Sequence, residues 1–200
     1  MTTPAIQGAL LSPAEKQVLE WMLANGGVAS AGTPNALISQ SVQEGAHGVH
    51  QTVITLRDAL MTVRDTQQGN GIKLYTFPLG KIFRLGASAE NIIITTQSAL
   101  TTLNSAVAGQ FGVGSTTQAN ATLATTEQDI VQVTAFTSSA VAGTPPAAVR
   151  AYGIPNVTLL DGSATAIDAF FNIAIAGATD IDADATVSIS GVITLNWLKV

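Results

Sequence analysis

The chain contains no cysteine. That absence excludes a disulfide framework, a Cys-ligated zinc and a thiol nucleophile together. Charge is scarce as well: Asp, Glu, Lys and Arg make up 10% of the 200 residues, against about 25% in an average globular domain. Aromatic residues are 5% of the chain, with Trp and Tyr present only twice each. A strip of exposed rings for stacking on sugars is therefore not expected. No apolar run approaches the ~18 residues that would span a bilayer. Met1-Thr2-Thr3-Pro4 has neither the basic start nor the apolar core of a secretory leader. The expectation is a chain made and assembled in the cytoplasm, with no membrane partner. The few charges sum to −5 and include no run of Lys or Arg, which argues against nucleic acid as a principal partner.

What fills the chain instead is 46% hydrophobic residues, with Ala, Thr, Ser and Gly taking much of the rest. Disordered chains show the reverse balance, high charge and little apolar material. Two hundred residues suit one large domain, or a domain with an appended arm. A surface so poor in charge favours association, so a homo-oligomer is expected.

The clearest periodicity lies at the C-terminus. Val187, Ile189, Ile193, Leu195 and Trp197 alternate with Ser188, Ser190, Thr194 and Asn196. Side chains of a strand point to opposite faces in turn, so this is a long strand with one buried face. Gly191 falls on the buried face and predicts a bend or a close neighbour. Phe171, Ile173 and Ile175 alternate with Asn172, Ala174 and Ala176 in the same way, and the acidic stretch 177–184 is read as the turn between the two strands. A sheet with one apolar face needs a second apolar layer against it. The predicted fold is therefore mainly β, an antiparallel β-sandwich, with a jelly roll among the forms open to it.

Further upstream, Ser12-Pro13-Ala14-Glu15 is a helix start, with a capping serine, proline at the first helical position and a glutamate placed for a capping box. Val18, Leu19, Met22 and Leu23 recur at helical spacing, and Asn25-Gly26-Gly27 is a stop. A short amphipathic helix over 13–24, carrying Trp21 beside its apolar face, follows. Residues 28–48 read as a linker without a sustained period. The domain division expected is thus an N-terminal arm, 1–48, and a β-sandwich, 49–200. Within the latter, Thr52, Ile54 and Leu56 begin one strand and Met61-Thr62-Val63 continues in similar style. Residues 65–71 are turn chemistry. The run 72–85 is broken by Pro78 and Gly80, Asn91 to Thr96 forms a further short strand, and Ile130 to Phe136 another with Val131, Val133 and Ala135 on one side. Residues 126–130 form a helical turn. No internal repeat is visible.

Five features of the sequence carry residue types that can do chemistry. Asp180, Asp182 and Asp184 are spaced like the carboxylates of a calcium loop, but an EF-hand needs Gly at the sixth position and Glu at the twelfth, where Ala185 and Gly191 stand. A solvated acidic loop is the better reading. His47 and His50 sit three apart beside Gly45 and Gly48, a poor helix with no carboxylate nearby other than Glu44, and read as linker residues without a metal. Gly112-Val113-Gly114 lacks the third glycine and the setting of a dinucleotide fingerprint. No Gly-x-Ser-x-Gly elbow occurs among the serines. Glu127 and Asp129 are a carboxylate pair that would need a cleft to act as acid and base. No catalytic, cofactor or metal residue is assigned, and no enzyme activity is expected.

The segments Gln51-Thr52-Val53-Ile54-Thr55-Leu56, Leu74-Tyr75-Thr76-Phe77-Pro78-Leu79-Gly80-Lys81-Ile82, Leu85-Gly86-Ala87, Asp161-Gly162-Ser163-Ala164 and Thr194-Leu195-Asn196-Trp197-Leu198 resemble, in order and spacing, structural proteins of tailed bacteriophages. The resemblance covers about residues 50–200; acids near Thr76 and Leu79 are absent here, and residues 1–48 have no counterpart. It implies a decoration or cement protein on the capsid exterior of the virion, bridging copies of the major capsid protein, with a trimer suggested by the three-fold positions of capsid lattices. The rival expectations are a phage fibre or receptor-binding module and a non-viral carbohydrate-binding β-sandwich.

Overall fold

A computed structural model describes residues 28–29, 38–44, 48–96, 107–118, 120–138, 148–153, 158–175 and 184–200. They form eleven strands: β1 Val28–Ala29, β2 Ile38–Glu44, β3 Val49–Val63, β4 Gly69–Thr76, β5 Gly80–Thr96, β6 Val107–Gly114, β7 Val131–Ser138, β8 Val149–Tyr152, β9 Thr158–Gly162, β10 Asp168–Ala174 and β11 Ala185–Lys199. One sheet has the order β1-β4-β10-β6-β7 and the other β2-β3-β11-β5-β8, with β9 also pairing β5. Every strand pairing is antiparallel. The two sheets share one apolar core, to which Ile54, Ile82, Ile193 and Trp197 contribute from one side and Leu74, Phe111, Phe171 and Ile173 from the other. The mainly β sandwich expected from the alternation is what the chain builds.

The strand path is a set of nested pairs. β5 pairs β9, β4 pairs β10 and β3 pairs β11, as though one long hairpin had been rolled so that its arms pass from sheet to sheet. Inside these, β6 pairs β7 as the innermost pair, and β8, between β7 and β9 in sequence, pairs β5. A bridge from Val131 to Gly153 joins the sheets along this flank.

β3, β5 and β11 run for 15, 17 and 15 residues, well beyond the usual five or six. Strands this long stay over the smaller sheet only if they bend. Ser190 stands opposite both Arg57 and Asp58 on β3, and Gly191 opposite both Asn91 and Ile92 on β5, so two bulges lie side by side. Asp58, Asn91 and Gly191 take φ of 52°, 53° and 148°. Asp and Asn are the non-glycine residues that best tolerate this region. The Ser190 hydroxyl accepts from the Asp58 amide at 3.0 Å and donates to the Asp58 carboxylate at 2.9 Å. At Gly191 a Cβ would stand 2.6 Å from Ile92 Cδ1 and 3.0 Å from two carbonyl oxygens of β5, the close neighbour that the glycine predicted.

The bulges explain several departures from expectation. On β3 the buried residues are His50, Thr52, Ile54 and Leu56 before the bulge, and Ala59, Met61 and Val63 after it. The two fragments seen in the sequence are therefore one strand whose parity shifts. Asn91 to Thr96 is likewise the far half of β5, not a separate strand. On β7 a register shift opposite Gly112 turns Phe136 inward and leaves Ala135 exposed, against the expected side. β10 and β11 lie in opposite sheets, so 177–184 does not close a hairpin between paired neighbours.

The stretch 28–48, expected to be a linker, contains β1, paired to β4, and β2, paired to β3 from Ile38↔Leu56 to Glu44↔His50. A polar edge strand such as Ile-Ser-Gln-Ser-Val-Gln-Glu carries little apolar alternation, which is why the period was missed. The helix expected over 13–24 lies outside the described residues. Pro78 sits in the 77–79 connection between β4 and β5, which crosses from one sheet to the other. The turn at 65–71 is tighter than its composition suggested. Asp65–Gln67 make a single 3-10 turn closed by Gln68 at φ 51°, while Gly69 and Gly71 already belong to β4, where side chains of Gln118, Thr117 and Asn172 occupy the space a Cβ would need.

Candidate interaction surface

The carboxylate pair proves to be a loop clasp. A Glu127 carboxylate oxygen accepts from the Ala124 amide at 2.9 Å, and Asp129 accepts from both the amide and the hydroxyl of Ser115, each at 2.8 Å. Both acids therefore hold the 115–130 segment to itself. That segment lies over β10. Asn172, on the strand face opposite Phe171 and Ile173, is fully buried beneath it. Its amide nitrogen donates to the carbonyls of Thr116 at 2.9 Å and Glu127 at 2.8 Å, and its oxygen accepts from the Gln118 amide at 2.9 Å. Gly112-Val113-Gly114 is part of β6, and Gly114 packs against the backbone of Thr126 and Glu127, so its glycine serves close packing. Sequence reasoning singled out Glu127 and Asp129 but missed Asn172. A polar residue alternating with Phe171 and Ile173 gives no sign that a distant loop will cover it.

Arg84 is the second buried polar residue that the sequence concealed. It projects from β5 between the sheets, donating to the Thr158 hydroxyl at 2.9 Å and to the Ile130 carbonyl at 3.4 Å. Burial lowers its pKa and the Asp129 charge acts to raise it. Burial likewise pushes the Asp129 carboxyl up from its ordinary 3.8, against the opposing pull of the Ser115 hydrogen bonds and the Arg84 charge. The folded protein thus keeps this proton to a higher pH than the unfolded chain does. Across the interval just above 3.8 the native state binds more protons, so stability falls as pH rises through it and levels off once the folded carboxyl has ionised. Asp129→Asn should flatten that slope in a series of thermal melts across the acid range. An unchanged slope would remove Asp129 as its source.

His50 is not a linker residue. It lies in β3, buried, its ring stacked on Trp197 at 4.0 Å and 13°. Trp197 also meets Phe77, in the connection after β4, edge-on at 5.7 Å, and Tyr75 of the other sheet at 6.4 Å. Its indole donates to the Thr52 hydroxyl at 2.9 Å. This aromatic cluster fills one end of the sandwich. Of the acidic triad, Asp180 and Asp182 lie outside the described residues, as does His47; Asp184 is exposed and accepts from the Asp65 amide at 3.0 Å. Among the described residues no group of three or more His, Asp or Glu side chains is placed to hold a metal ion.

Outside the same end of the sandwich lies an apolar row. Val49, Leu198, Phe83 and Leu159 are successive register partners across β3, β11, β5 and β9. They alternate with the buried His50, Trp197, Ile82 and Leu160, so they lie on the outer face. Leu159 is 45% exposed, nearby Leu85 43% and the terminal Val200 67%. Gln51 and Asn196, bonded at 3.1 Å, border the row on one side. Lys81 and Asp161, register partners in β5 and β9 and both exposed, border it on the other. Hydrogen bonds from Ser163, reinforced by Lys81, hold the Asp161 carboxyl below its ordinary pKa. An apolar centre with a polar rim is the anatomy of a protein-binding face.

A scan against protein-family models finds no match to this chain, and no curated protein matches it.

Proposed function

We propose that the chain is a non-enzymatic virion structural protein of a tailed bacteriophage, one that decorates the capsid exterior and stabilises the shell by bridging copies of the major capsid protein. The observation that carries this reading is the nested pairing of β3 with β11, β4 with β10 and β5 with β9. A long antiparallel hairpin rolled into two sheets is a jelly roll, an architecture recurrent in viral capsid and lectin domains. Here β6 and β7 complete the nesting as its innermost pair, and β8 is an addition between β7 and β9. A fold alone does not fix a function. Support comes from the phage-like motifs in β3, β4, β5, β9 and β11, and from a weakly charged outer face fitted to protein contacts. The lectin branch of the architecture is less favoured, because Tyr75 and Trp197 are buried and Tyr152 stands alone as an exposed Trp or Tyr among the described residues.

The mechanism is mechanical. Each copy that binds only the assembled lattice shifts the assembly equilibrium towards it by mass action. The test is co-sedimentation of the purified chain with phage particles lacking it. Saturable binding, with a rise in the temperature at which the particles release DNA, is expected; a chain that stays in the supernatant at every concentration contradicts the proposal.

A further inference from the structure

We draw no further inference here: the strongest candidate, the apolar row of Val49, Leu198, Phe83 and Leu159 on the outer face of β3, β11, β5 and β9, carries none because nothing in the structure shows what covers it.

Discussion

Replacing Trp197 by alanine is expected to lower the unfolding free energy by about 3–5 kcal/mol, the range for removing a large aromatic side chain from a packed core. The residue is fully buried, stacks on His50, meets Phe77 edge-on and donates to Thr52. It thus ties β11 to β3 within one sheet and to β4's end in the other. In a chain of this size each kcal/mol moves the melting temperature by about 2–4 °C, so a fall of roughly 10–15 °C is expected by calorimetry or circular dichroism. Leu198→Ala, one residue on and facing outward, should cost far less in dilute solution. Equal losses would mean that both faces of β11 are packed in the monomer.

Asn172→Ala is the second large effect. Three hydrogen bonds end on this side chain, and its removal leaves the Gln118 amide and two carbonyls buried without it. Each such group costs about 1–3 kcal/mol, with incomplete additivity, so a total near 3 kcal/mol is expected. Asn172→Asp should be no milder. It keeps an acceptor for Gln118 but sets a carboxylate against the carbonyls of Thr116 and Glu127. The measurement is thermal unfolding combined with amide hydrogen exchange, in which 115–130 should lose protection before the core strands do. Uniform protection in the variant would contradict the view that Asn172 pins that segment.

The legible part of the sequence was the part governed by strict alternation. Val187 to Trp197 announced a long strand with one buried face because no residue is inserted within β11; the extra residues are on its neighbours. β3 and β5 carry those insertions, at Asp58 and Asn91, and each bulge broke the period and made one strand read as two. β2 was invisible for a different reason: an edge strand with mostly polar residues is defined by backbone pairing, which leaves no periodic trace. The buried polar groups Asn172, Arg84 and His50 depend on partners 45 to 147 positions away, from Glu127 for Asn172 to Trp197 for His50, and no local pattern encodes such pairings. The apolar row was hidden too. Val49, Phe83, Leu159 and Leu198 are scattered in sequence and become neighbours only through the registers of three strand pairs.

Imaging purified phage particles with and without this protein tests the central claim most directly. Density for a sandwich of this size at regular positions on the outer shell, present only when the protein is present, is the expected result. Identical shells in the two preparations, or density confined to a tail fibre, would contradict it.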